Sequence, residues 1–220
     1  NNPHIRQMAE QIISENKPVR IEEKIPFPAT KIDDEVLIRH LIEHGLSSGQ
    51  AEDVIHAFWR IRRLGRWYED HWEEREDAGE DISEHETRTF LIVPLLLALG
   101  WPEQRLKIEW KRLDIAFFKE NYRPGDSPVM ILESKKLGDP LGYALEQAEG
   151  YAEQFKHKKL VVSNGIRYLL LVKKNDKWIE KAHLNLLKLL DRHPYYTEIE
   201  GAPQLLTQLL PQPRDSEFST

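Results

Sequence analysis

Leu113-Asp114-Ile115-Ala116-Phe117-Phe118-Lys119 and Val129-Met130-Ile131-Leu132-Glu133-Ser134-Lys135 flank the stretch Asn121-Tyr122-Arg123-Pro124-Gly125-Asp126-Ser127-Pro128. The flanking runs are apolar and of strand length, and the stretch between them is dense in residues that favour turns. Together they predict an antiparallel hairpin. Two features of it are chemically unusual. Asp114 is a single charge in apolar company, and Glu133 and Lys135 end an otherwise apolar run. Side chains alternate along a strand, so Glu133 and Lys135 share a face while Ser134 turns away. Burying charge is costly unless something uses or neutralises it. The hairpin can bring Asp114 and Glu133 to one sheet edge, where two carboxylates raise each other's pKa unless a cation holds them charged.

Outward from the hairpin, residues 106–111 read as a further strand before it. Upstream, Ser83-Glu84-His85-Glu86 reads as a capping box that opens a helix. Leu91, Leu95, Leu96 and Leu99 follow on one face of that helix, and Gly100 stops it. Downstream, 140–156 is expected to be a helix, then 160–163 and 166–173 are strands around the turn Asn164-Gly165. The order is therefore α-β-β-β-α-β-β, an α/β mixed-sheet core over 83–175. Residues 1–68 carry the helical patterns 34–44 and 48–64 and are expected to form a mainly helical N-terminal subdomain. Residues 69–82 read as an acidic connector, and 176–220 as a C-terminal extension, helical around 184–190, with a loose polar tail.

Composition narrows the function classes. Of 220 residues 40% are hydrophobic and 31% charged, as in ordinary globular proteins. No apolar run approaches the roughly 18 residues that a membrane span needs. The start lacks the apolar core of a secretory signal, and with no cysteine there are neither disulfides nor thiolate metal sites. A cytoplasmic location fits. The first residue is Asn1, so a processed chain or a piece of a longer one is expected. The net charge of −6 opposes nucleic-acid binding at first sight. However, residues 69–86 hold ten carboxylates against the one Arg75, whereas 107–173 hold twelve Lys and Arg against nine Asp and Glu. The later part can meet phosphate, in a salt-dependent way. Oxygen ligands without cysteine suit Mg²⁺ or Mn²⁺ rather than zinc, and a lysine beside them can orient a water or offset phosphate charge.

Asp114 followed by Glu133-x-Lys135, in this order of elements, resembles the PD-(D/E)XK nuclease superfamily. The closest likeness is to the nuclease module at the start of the motor subunit of type I restriction enzymes. Glu86-Thr87-Arg88-Thr89, Pro94-Leu95-Leu96, Leu99-Gly100-Trp101, Gln147-Ala148-Glu149-Gly150-Tyr151 and Ser163-Asn164-Gly165-Ile166-Arg167-Tyr168 resemble that group too. The likeness covers about residues 83–173, and Leu113 stands where the superfamily's name has proline. It implies a restriction-endonuclease-like core and Mg²⁺-dependent hydrolysis of DNA, with Mn²⁺ as substitute, in restriction or phage defence. It implies that Asp114 and Glu133 hold the metal with the backbone carbonyl of Ser134, and that Lys135 positions or activates the attacking water. Gln147 and Tyr151, one helical turn apart, would support the site or guide the nucleic acid, and Glu86 would be an outer metal ligand or water holder. Implied partners are DNA, a larger restriction or helicase assembly and a second copy of the chain, with no membrane. A catalytically idle nucleic-acid-binding or assembly module on the same fold is the alternative.

Several residues admit blander readings. A capping box explains Glu86 without chemistry, an amphipathic helix explains Gln147 and Tyr151, and Glu109 reads as a solvated strand residue. His40-Leu41-Ile42-Glu43-His44 fits an inverted zinc-protease pattern but has no third ligand marked nearby. Arg60, Arg62, Arg63 and Arg66, interleaved with Trp59, Trp67 and Tyr68, either grip a nucleic-acid strand or pair with the acidic connector around core aromatics.

Overall fold

The computed structural model describes residues 32–80, 82–141, 150, 159–175, 177–187, 189 and 199–211. Helix α1 (Asp34–Glu43) starts at Asp33, whose side chain accepts from the Glu35 amide, and gives way to Gly45 at φ +104°. Helix α2 (Ser48–Asp70) is long because Val54, Ile55, Phe58, Ile61 and Tyr68 keep one face buried through it. Helix α3 (Trp72–Ala78) continues through the acidic connector, which is therefore largely helical in its described part.

Helix α4 (Glu84–Thr87) opens on the expected capping box, with Ser83 and Glu86 satisfying each other's backbone amides. The expected single helix is not uniform. It widens to a π-turn (Arg88–Ile92) and resumes as α5 (Val93–Ala98), the Val93 amide reaching back to the Arg88 carbonyl. Pro94 has no N–H to donate, and its ring crowds the preceding turn, so the helix is loosened where the proline enters. Leu91, Leu95, Leu96 and Leu99 are all fully buried.

Six strands form one sheet in sequential order: β1 (Leu106–Trp110), β2 (Leu113–Phe117), β3 (Met130–Ser134), β4 (Lys159–Ser163), β5 (Arg167–Lys174) and β6 (Lys177–Asn185). All neighbours are antiparallel except β3 and β4, which run parallel. The mixed α/β class and the hairpin joining β2 to β3 are as expected. The helix expected over 140–156, which would make the β3–β4 crossover, lies mostly outside the described residues.

Two expectations are corrected. The chain after Asp176 is not helical from the outset: Lys177–Asn185 adds a sixth strand, so the core does not end at 175. Its reason is a tight hairpin, with Lys174 paired to Lys177 and Asn175 at φ +51°. The C-terminal helix comes later, as α6 (Ala202–Leu209), and buries Ala202, Leu205, Leu206 and Leu209. Nor do the described helices before residue 69 form a separate subdomain. Leu37, Leu41, Phe58 and Ile61 share one core with Leu95, Leu132, Val161, Tyr168 and Leu206. A Cβ on Gly65 would come 2.7 Å from Ile166, so α2 lies close on the β4–β5 turn. The other sheet face carries a second cluster that includes Ala116, Phe118, Ile131, Leu160 and Val162. The sheet is thus apolar on both sides, and a charge at its middle stands out.

Candidate active site at the ends of the second and third strands

The β2–β3 register pairs Ile115 with Leu132, which sets Asp114 opposite Glu133 at the ends of two inner strands. Asp114 is tightly held. Its Oδ2 accepts from the Ser134 amide at 2.7 Å and the Ser134 hydroxyl at 2.8 Å, and its Oδ1 meets Arg88 Nη2 at 2.9 Å. Among the described residues, Glu133, only 6% exposed, has no such cradle. Burial first, then the neighbouring Asp114 charge, pushes its carboxyl up to about 8, against the opposing pull of Lys135. Lys135 Nζ lies 3.7 Å from Glu133 Oε1 and 3.3 Å from Glu84 Oε1. The strand therefore places both side chains at one spot, as its alternation requires.

Arg88 is the centre of the arrangement. From the π-turn its buried guanidinium donates to Ser134 Oγ at 3.2 Å and Glu109 Oε1 at 2.8 Å, besides Asp114. Glu109 is 65% exposed at its side chain, yet it is this ion-pair partner rather than a purely solvated residue. Its backbone is left-handed, at φ +54°. His85 Nδ1 lies 3.9 Å from the same carboxylate. Glu84 and Arg88 are not among the sequence candidates, and Glu109 is weighed there only as a solvated strand residue. A signal for Arg88 exists: it is an arginine entering the apolar helix Thr89–Leu99, where a charge needs buried partners.

Glu86, expected as an outer metal ligand or water holder, is engaged in the helix cap. Its carboxylate accepts from the Ser83 amide at 2.9 Å and hydroxyl at 3.1 Å and faces Arg75 at 3.6 Å. The Ser83 amide bond is the first cause holding it below the usual carboxylate range. The cap uses this acid, and Glu84 is the acid of α4 that reaches Lys135. Gln147 and Tyr151 lie outside the described residues. Ser134 contributes through its amide and hydroxyl, which fix Asp114.

The loops around the site brace one another. The Lys135 amide donates to the Ser163 carbonyl at 2.8 Å, and the Leu137 amide to Thr87 Oγ1 at 3.0 Å. Gly165, at φ +85°, packs so closely that a Cβ would come 2.7 Å from Leu91. The end of β3, the β4–β5 turn and the helix carrying Arg88 are thereby locked together.

Among the described residues, the ion-pair partners of Glu84, Glu109, Asp114 and Glu133 are Arg88, Lys135 and, 3.9 Å from Glu109, His85. Four carboxyls thus gather at this end of the sheet, and Glu133 is buried beside Asp114. Clustered carboxylate oxygens are donors of the kind that suit Mg²⁺ or Mn²⁺. Among the described residues, no group of three or more His, Asp and Glu is arranged to hold a metal.

The zinc-protease pattern has another use. His40 Nε2 lies 2.8 Å from the Pro203 carbonyl and 2.6 Å from Thr207 Oγ1, which ties α1 to α6. The arginine-rich face of α2 departs from its bland reading. Trp59 and Trp67 are exposed, and Tyr68 alone of the three aromatics is buried. Arg62 pairs with Asp34 rather than with the acidic connector. Comparison with models of known families, with curated proteins and with solved structures finds no match to the chain.

Proposed function

We propose that the chain is a divalent-metal-dependent nuclease of the PD-(D/E)XK type that hydrolyses DNA phosphodiester bonds, in restriction or phage defence. The observation that carries this reading is Glu133, a buried carboxyl set against Asp114 with the Lys135 ammonium 3.7 Å away. The resemblance of Asp114, Glu133-x-Lys135 and the stretches around them supports it from the sequence. Mg²⁺, with Mn²⁺ as substitute, would be held by Asp114, Glu133 and the Ser134 carbonyl and would supply Lewis acidity and charge stabilisation at the phosphate. The chain's own groups divide the remaining work. Ser134 orients Asp114 through two hydrogen bonds, and Arg88 pairs with that carboxylate at 2.9 Å. Lys135 orients an attacking water and offsets negative charge as it builds on the phosphate, an effect larger in the transition state than in the ground state. A restriction-endonuclease-like core, a larger restriction or helicase assembly and a homodimer belong to the same proposal.

One observation favours a second reading, the idle nucleic-acid-binding or assembly module. Both Asp114 oxygens already have partners, with Arg88 supplying positive charge there. The deciding experiment incubates the protein with supercoiled and linear DNA in Mg²⁺, Mn²⁺ or EDTA, beside Asp114→Asn and Glu133→Gln. Metal-dependent cutting that both substitutions abolish supports the nuclease. DNA binding without cutting in either metal supports the idle module.

A further inference from the structure

Three of the five non-glycine residues described with positive φ lie within four positions: Glu109 at +54°, Lys111 at +49° and Arg112 at +74°. Trp110 pairs with Leu113, so Lys111 and Arg112 form the whole of the β1–β2 turn. A two-residue hairpin with both residues left-handed is the conformation that Asn-Gly adopts at least cost. Side chains with a Cβ are disfavoured there. The chain nonetheless carries two cations at this turn, both exposed. Among the described residues, neither makes an ion pair. Lys111 Nζ rests 4.4 Å from the centre of the Trp110 ring, and on the same strand Lys107 Nζ rests 4.8 Å from that of Tyr122.

Position gives this strained turn a purpose. Asp114 follows Arg112 by two residues, at the start of the strand that the turn feeds. The site itself is rich in carboxylates and repels a polyanion, so a phosphate chain needs positive charge beside it. We propose that the β1–β2 turn is a nucleic-acid backbone contact, with Lys111 and Arg112 gripping phosphates on the strand that reaches Asp114 and Glu133. The placement of that strand rests on the nuclease reading, whereas the contact itself is a matter of binding alone. The left-handed backbone leaves both cations exposed at the hairpin tip. A cheaper Asn-Gly turn would lack them.

The test uses two double variants of the full chain, Lys111→Asn with Arg112→Gly, and Lys111→Gln with Arg112→Gln. Melting temperature is measured for each. Affinity for labelled duplex and single-stranded DNA is measured in EDTA and in Ca²⁺ across a salt series, and Mg²⁺-dependent cleavage separately. Both variants are expected to bind about tenfold or more weakly at low salt, with a salt dependence shallower by about two phosphate contacts. Only the Asn-Gly variant should melt higher than the wild type. Affinity and salt slope unchanged in both variants would overturn the contact and leave the nuclease reading standing wherever the wild type still cuts. Turn-dependent binding by a wild type that never cuts would keep the contact and remove the nuclease reading. A wild type that binds no DNA removes both. Polyglutamate competing as well as DNA would overturn the nucleic-acid assignment in favour of an acidic protein partner.

Discussion

Arg88 Nη2 and Asp114 Oδ1 meet at 2.9 Å, with the arginine side chain 6% exposed and the aspartate 15%. The pair joins a helix to the sheet at the point where that helix widens into its π-turn. Each charge is tolerable in a buried place because the other is there.

Removing one partner should therefore be costly. Arg88→Met is expected to destabilise the metal-free protein by about 3 kcal/mol, since it leaves Asp114 buried and uncompensated beside Glu133. Asp114→Ala should destabilise less, because Glu109 still pairs with the guanidinium at 2.8 Å. Adding Asp114→Asn to Arg88→Met should recover part of the loss. Urea denaturation in EDTA measures all of these, and an Arg88→Met protein as stable as wild type would show that the pair contributes nothing.

Glu133 makes stability depend on pH. The folded chain holds this proton up to about pH 8, whereas the unfolded chain releases it near 4.5. Between those values the folded state binds the extra proton, so stability falls as pH rises from about 4.5 through 8. The full swing is on the order of a few kcal/mol. Glu133→Gln should flatten the curve and melt higher than wild type at pH 8 and above in EDTA. Parallel melting curves from pH 5 to 9 would contradict this.

Lys135 is expected to serve the rate and not the binding. Lys135→Ala should lower single-turnover cleavage by on the order of a hundredfold to ten-thousandfold, with DNA affinity in Ca²⁺ little changed. Lys135→Arg should rescue incompletely, because a planar guanidinium does not replace a compact ammonium. A variant that loses affinity but keeps its rate would reassign Lys135 to substrate binding.

Gly165 tests the bracing. Its φ of +85° and the 2.7 Å approach that a Cβ would make to Leu91 leave no room for a side chain. Gly165→Ala should cost at least about 2 kcal/mol through strain and overpacking. It should also weaken divalent-ion binding by shifting the helix that carries Arg88. Calorimetric titration with Mn²⁺ beside thermal melting separates these effects, and an unchanged melting temperature would refute the bracing.

Local signals in the sequence determined a good deal. Apolar runs of strand length and the turn residues between Asn121 and Pro128 were enough for strands β1 to β5 and for the hairpin that sets Asp114 opposite Glu133. Alternation placed Glu133 and Lys135 together, and the Ser83–Glu86 spacing marked the helix start. These features depend on neighbours a few residues away, so a linear reading reaches them. The sixth strand was not legible, because Lys177–Asn185 alternates only weakly and becomes a strand by pairing with β5. Nor was the choice of Glu84 over Glu86, or the partnership of Arg88 with Glu109 and Asp114. Each helical residue turns about 100° from the last, so two positions separate an acid aimed at Lys135 from one spent on its own cap. Only the rotation and height of that helix against the sheet, set by burial of Leu91, Leu95 and Leu96 and by the close approach of Gly165, decided which charges met.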